Sequence, residues 1–418
     1  MAPTTRTAVL ATAGIAAAAV GAYALPAAAQ LPPVAPPPAP PAPEPPAPPP
    51  SSGRLKAPRV VATGTRIPLR GSRATPRSRV TIQIRRSGRW RKIAARRANG
   101  RGRYRLRVKP RRVARRYRLR ARVTGGKPSR PVRVRSRNVT LDAVGDINLG
   151  DGVATVMYQR GYRYPWSAVA RRLRSADVAF GNLECAVSRR GSAIPGKQYT
   201  FRGRPAALRV AARYAGMDVL NLANNHAGDF GPAALTDTLA WIRRFGMTSV
   251  GAGRNLDAAR RLRVVERLGL RIAFVGFSDI NPAGFGAGPN SPGTVFATSE
   301  GVRRDTRRAA RRADVVVATF HWGVERSTTP DARQRSFAAA ALAGGADAVI
   351  GAHPHVLQPI ERRGRRVVAY SLGNFVWAAG SSFTANTGIL RLRFSARGVE
   401  GVRFRRAYIS NTRPGLVH

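Results

Sequence analysis

From Val139 onward the chain carries short, nearly continuous apolar runs: VTLDAVGD, DVAFGN, MDVLNLANN, RIAFVGF, DVVVATFHWG and DAVIGAHPH. Runs of this length, rich in Val, Ile and Ala and bounded by glycine and polar residues, read as strands buried on both faces. Between them lie longer segments with helical spacing of apolar positions, such as PAALTDTLAWIRRFG and PDARQRSFAAAALAGG. Strand and helix in alternation predict an α/β domain with a largely buried sheet. The pattern changes in the last third, where RVVAYSLGNFVW and GILRLRFSARGVEGVRFRRAYI read as strands and hairpins. Residues 138–412 thus form an α/β core with added antiparallel strands, of a size that one domain accommodates.

Upstream the period is two. RVTIQIRRSGRW, GRYRLRVKP, RYRLRARV and PVRVRSR alternate apolar residues with basic or polar ones, the mark of half-buried strands. Residues 54–137 therefore predict a small all-β sandwich of immunoglobulin-like type, with Val80, Ile82, Ile84, Tyr104, Leu106 and Val108 facing inward. Residues 30–53 are a proline-rich linker, which favours extended polyproline II and builds no core. Residues 1–29 have one early basic residue, Arg6, an apolar run and small residues at Ala27, Ala28 and Ala29, as a signal peptide does. A cleaved signal is the reading preferred over an uncleaved anchor, because the run is Ala-rich and weakly apolar. Either way the remainder is exported, to the cell envelope or beyond.

Charge narrows the partner. The 418 residues carry 73 Lys or Arg against 20 Asp or Glu, a formal net charge of +53. Residues 51–137 hold 32 of those bases and no acid. Such an imbalance attracts polyanions, although arginine in place of lysine also reads as codon usage. Export and the lack of a base-reading motif set nucleic acid aside and leave an anionic cell-envelope or capsule polymer. A membrane enters only if the N-terminal segment stays uncleaved. The single cysteine, Cys185, excludes an intramolecular disulfide.

Polar residues gather at the C-terminal ends of the expected strands, where open α/β sheets bind ligands. They are Asp146 and Asn148 in GDIN, Asn182 and Glu184 in GNLEC, and Asn224, Asn225, His226 and Asp229 in LANNHAGDFG. His321 and Glu325 follow in FHWGVE, then His353 and His355 in GAHPHVLQPIE. The chain has five histidines, and four lie in these motifs; the fifth is His418. Imidazole, carboxylate and amide oxygen together suit one or two divalent ions of manganese, iron or zinc. Paired ions activate a hydroxide and clamp a phosphoryl or acyl oxygen. Asn182, Asn224, Trp322 and Asn374 are candidates for substrate contact, with core packing an equal reading for Trp322 and a supporting contact behind the ligands the other reading for Asn374.

The ordered string GDINLG, GNLE, NNHAGDFG, HWGVE, GAHPHVLQPIE and YSLGNF closely resembles the CapA family, the bacterial capsule or poly-gamma-glutamate synthesis protein domain. That family is a branch of the calcineurin-like metallophosphatases, and the resemblance spans roughly residues 139 to 410. It implies a four-layer α-β-β-α fold with a metal site at one edge. It implies that Asp146 and His355 hold a first ion and Asn225, His321 and His353 a second, with Glu184 in the place of a bridging aspartate. It implies His226 as general acid, oriented by Asp229, for which capping the helix near Gly231 is the alternative. Two positions depart from the wider superfamily: Asn148, itself a candidate metal ligand, stands where a histidine ligand is usual, and Glu184 is one methylene longer than aspartate. The function this resemblance implies is an exported metal-dependent phosphatase-type hydrolase that makes, attaches or trims an anionic polymer. The alternative is a non-catalytic envelope protein that guides one.

Overall fold

The computed structural model describes residues 48–280 and 282–417. The expected signal peptide and most of the proline linker lie outside the described residues. Pro49 to His418 forms one compact unit.

Residues 52–137 build two sheets around one hydrophobic cluster. Strands Ser52–Lys56, Ile67–Ala74 and Tyr104–Val108 form a three-stranded antiparallel sheet. Strands Val60–Ala62, Val132–Arg137, Arg116–Arg122, Arg79–Arg86 and Arg89–Arg97 form a five-stranded sheet in that order. Val80, Ile82, Ile84, Tyr104 and Val108 are buried in the shared cluster, and Leu106 packs against it partly covered. The first strand begins at Ser52, inside the expected linker, because the Ser52 hydroxyl accepts the Val123 N–H at 2.8 Å across the sandwich.

The α/β part is two sheets face to face. One runs Thr248–Val250, Val219–Asn221, Val178–Leu183, Val139–Ile147, Asn386–Ser395, Gly398–Ser410, Arg413–Leu416, with Asn374–Val376 beside the end of Val139–Ile147. The other runs Arg263–Arg267, Leu270–Ser278, Val315–His321, Ala348–Ala352, Arg366–Ala369, Ile360–Arg363. Leu141, Phe180 and Leu390 of the first meet Ile272, Phe274 and Val317 of the second in one buried cluster. Helices Asp151–Arg160 and Gly231–Arg244 contribute to a cluster behind the first sheet, and Ser299–Ala310 and Ala332–Gly344 to one behind the second. The result is mixed α/β in four layers. Helix Ala332–Gly344 is fixed at its start by a reciprocal cap, Asp331 with Gln334. Among the described residues no helix is long and apolar enough to cross a membrane.

The central strands of both sheets are parallel, so their C-terminal ends point the same way. Close packing there needs glycine. A Cβ on Gly145 would lie 1.8 Å from the Gly373 carbonyl oxygen, the same carbonyl that accepts the Asp146 N–H at 3.0 Å.

Candidate metal centre

Asp146 sits near the end of Val139–Ile147, paired in register with Asn182 on one side and Asn374 on the other. A register shift after Phe180 brings Asn182 into line. The Asn182 amide donates to Asp146 Oδ1 at 2.9 Å and to Glu184 Oε2 at 3.2 Å, so it holds both carboxylates. Its own oxygen accepts from Asn221 and Asn224, at 2.9 and 3.2 Å. Asn224 in turn donates to the Leu183 carbonyl and accepts the His226 N–H.

Four imidazoles close the site. His321 ends its strand fully buried, with Nε2 2.8 Å from Asn225 Oδ1 and Nδ1 3.3 Å from the Asn182 amide. His353 and His355 follow Ala348–Ala352 on a turn with φ of 97° and 59°. Left-handed backbone at two non-glycine residues stores strain that the surroundings must hold, a feature that clusters at functional sites. The His353 N–H donates to Asp146 Oδ2, and His355 Nδ1 lies 3.2 Å from that oxygen and 2.9 Å from Asn374 Oδ1. His226 Nδ1 is 2.7 Å from Asp229 Oδ2, which turns its Nε2 toward Glu184.

Glu184 Oε1 is the focus. It is buried, has no hydrogen-bond partner, and lies 3.5, 3.8 and 4.0 Å from the Nε2 atoms of His321, His355 and His226. Those separations are too long for hydrogen bonds. The first two are close to what two ligands about 2.1 Å from one shared ion show, roughly 3.0–3.5 Å. His353 Nδ1 is a second buried atom without a partner. Three overlapping ligand groups result: Glu184, His321 and His353; Asp146, Glu184 and His355; and Glu325, His353 and His355. The donor set fits a divalent ion.

The electrostatics agree. Burial, then the neighbouring Asp146 and Glu325, pushes the Glu184 carboxyl well above its ordinary range. Burial and the other histidines hold His321 well below its ordinary value, and burial takes His353 down to about 3. Burial also lowers His226, against the pull of Asp229. His355 is raised: burial opposes its protonation, and the bond to Asp146 outweighs it. His321 and His353, held neutral beside a carboxyl that resists ionisation, are ready ligands, and an added cation favours the ionised carboxylate.

The structure turns the remaining candidates inward. Trp322 is fully enclosed, stacks on Phe320 and donates Nε1–H to the Tyr370 carbonyl at 2.9 Å, the core-packing arrangement of the two readings. Asn182, Asn224 and Asn374 are buried, and their polar groups are engaged within the protein. They bond one another and the candidate ligands, and Asn374 Oδ1 meets His355 Nδ1 while its amide donates to the Thr384 carbonyl. Asn148 is buried and turns inward on its own chain, its Oδ1 accepting the Gly150 N–H at 2.8 Å. Asp229 does not cap the helix at Gly231, whose N-cap is Phe230 without a side-chain bond; it takes the Phe201 N–H and His226 instead.

Sequence reasoning missed Lys197 and Phe201. The Lys197 ammonium meets Asp229 Oδ1 and the Asn225 carbonyl and lies 3.2 Å from His226 Nδ1. Phe201 stacks on the His226 ring at 4.3 Å, and Trp377 stands edge-on to Phe201 and 4.7 Å from the His355 ring. A signal for Lys197 existed: it is the only lysine in residues 138–418, in a chain that otherwise uses arginine there.

Residues 140–379 match the family described as bacterial capsule synthesis protein PGA_cap. The chain is 35% identical over 257 residues to the PGA biosynthesis protein CapA of Bacillus subtilis (strain 168), covering 61% of this chain and 67% of that one. It is 31% identical over 267 residues to the capsule biosynthesis protein CapA of Bacillus anthracis, covering 62% and 65%. The chain thus spans about two thirds of the length of these relatives. Among solved structures it is similar to the NAD nucleotidase of Haemophilus influenzae, with a TM-score of 0.38 at 13% identity over 65% of this chain and 57% of that one, too faint to carry an argument.

Proposed function

This chain belongs to the bacterial capsule synthesis protein PGA_cap family, and we propose that within it the chain is an exported, metal-dependent phosphatase-type hydrolase. Its substrate is an ester in the making, attachment or trimming of an anionic envelope polymer of the poly-gamma-glutamate kind, in line with the names of its Bacillus relatives, PGA biosynthesis in one and capsule biosynthesis in the other. The observation that carries the reading is the buried, unpartnered Glu184 Oε1 facing three imidazole nitrogens.

Glu184, Asp146, His321, His353, His355 and the Asn225 amide oxygen are the residues that would hold one or two divalent ions. Bound there, an ion supplies Lewis-acid polarisation of a phosphoryl oxygen and a water made acidic enough to act as hydroxide. The chain's own part is orientation and proton handling. Asn182 spaces the two carboxylates, and Asn374 fixes the His355 ring. Asp229 fixes His226 through Nδ1, leaving Nε2 toward the cluster to pass a proton to the departing oxygen. Phe201 and Trp377 form an aromatic wall that limits water on that side.

A non-catalytic polymer guide would have no use for a buried carboxylate with one oxygen left unpartnered, which costs several kcal/mol unless an ion or proton relieves it. The test is turnover of a generic phosphodiester by the full chain with added manganese, against His226→Ala. Turnover that depends on the metal and falls about 100-fold or more in the variant supports the reading. No turnover of any phosphoester with manganese, iron or zinc leaves the polymer guide.

A further inference from the structure

The arginine-rich sandwich lies before the residues that match the family, and nothing in the metal centre uses it. In strand Arg116–Arg122 the residues Tyr117, Leu119 and Ala121 are buried, so Arg116, Arg118, Arg120 and Arg122 all face outward. On the adjacent strand Val134 is buried, and Arg133 and Arg135 face the same way. The register sets Arg116 directly opposite Arg135 and Arg118 directly opposite Arg133.

Like charges directly opposite on a sheet destabilise it. Salt bridges ordinarily relieve such pairs, yet residues 51–137 contain no Asp or Glu. Codon usage accounts for arginine in place of lysine; it does not remove acids, and residues 138–418 keep 19 of them. The opposed arginines thus present positive charge that no acid of residues 51–137 offsets, which suits a partner that supplies the negative charge.

Resting on the proposed role in an anionic polymer's chemistry, we propose that this outer sheet face, centred on Arg116, Arg118, Arg133 and Arg135, docks an extended carboxylate polymer. Along a strand, alternate side chains repeat every ~6.7 Å, with neighbouring strands about 4.8 Å apart, which presents guanidinium forks as a regular grid to a linear chain. Each fork matches a carboxylate bidentately. The face lacks what other polyanions require. Val113 is the one large exposed hydrophobic residue in the sandwich, a single side chain where a membrane interior would take an apolar face. Trp90 is the aromatic near this face, and the Arg120 guanidinium already covers its ring at 4.2 Å while also bonding Gln83, so no platform is open for stacked bases.

The test is binding of the full chain to poly-gamma-glutamate across a salt series, with duplex DNA and phosphatidylglycerol vesicles as parallel probes. The variant R116Q/R118Q/R133Q/R135Q removes the grid. The control R303Q/R307Q/R311Q/R312Q removes the same charge from exposed positions on and just beyond the Ser299–Ala310 helix. The grid variant is expected to bind polyglutamate about tenfold or more weaker, with a log–log salt slope shallower by about 3, while the control stays within about twofold. Equal losses in both variants would overturn the proposal and leave diffuse net charge. So would a loss confined to DNA or vesicles. Melting at low salt gives a second readout: the wild type is expected to gain stability from polyglutamate and the grid variant not, and equal gains would count against docking here. Phosphodiester turnover of the grid variant is expected at the wild-type level, so a failure of docking and a failure of the hydrolase reading remain separate.

Discussion

Replacing Glu184 by Gln should reverse the order of stability between metal-free and metal-loaded protein. Without metal, wild-type Glu184 is a buried carboxyl whose Oε1 has no partner. In Glu184→Gln the amide oxygen still accepts from Asn182, now at 3.2 Å from Oε2. The amide NH2 then sits where Oε1 was, 3.5 to 4.0 Å from three imidazole nitrogens, and a small relaxation lets it donate to one. An unsatisfied buried polar group costs about 1–3 kcal/mol, so the variant should be more stable than the wild type in chelator by about that amount. With manganese at a hundred times its Kd, the wild type gains about 2.7 kcal/mol by mass action, and the variant, lacking the shared ligand, gains little. At about 2–4 °C per kcal/mol for a chain of this class, the wild type should rise by roughly 5–10 °C and overtake the variant. Differential scanning calorimetry in chelator and in manganese reads both arms. A variant less stable than the wild type in chelator, or equally stabilised by manganese, would refute the reasoning and make Glu184 a structural residue.

Lys197→Ala leaves the buried Asp229 without its ammonium partner and should cost about 3–5 kcal/mol by denaturant titration, much of it recovered in the Lys197→Ala, Asp229→Asn double variant; simple additivity would deny the pairing. Trp322→Ala empties a fully buried site and should cost about 3–5 kcal/mol while leaving the KM of the proposed phosphodiester turnover unchanged; a raised KM at preserved stability would make it a substrate contact. Burial raises the Asp347 carboxyl from 3.8 to about 6, so between those values the folded chain binds more protons than the unfolded one and stability falls as pH rises. Asp347→Asn, which can still accept the Val316 N–H, should flatten that part of the stability–pH curve and add about 1–3 kcal/mol at pH 7; an unchanged slope would show that Asp347 is solvated.

Periodicity made most of the architecture legible. Continuous apolar runs marked the parallel strands because both their faces are covered, one by the other sheet and one by helices. Alternation marked the sandwich because one face is solvated. The ligand-bearing motifs were legible because parallel strands end at one edge, which places residues as distant as Asp146 and His355 at 3.2 Å. What sequence spacing left open was which side each residue faces and what it touches across the fold. His321 and Trp322 are consecutive, so a histidine turned to the cluster sends the tryptophan to the helix layer, a consequence of extended backbone that outranks the ring's appeal as a substrate wall. Asn182 looked like a substrate contact, and only tertiary pairing shows it clamped between two carboxylates. Lys197 escaped because it sits in a loop without periodicity, distinguished only by being a lysine among arginines.

Elemental analysis of the full chain after chelation and reconstitution, beside His321→Ala/His353→Ala, meets the central claim most directly. One or two manganese, iron or zinc ions per wild-type chain, absent from the double variant, is the result this account predicts. A wild-type chain that takes up none of the three would contradict it.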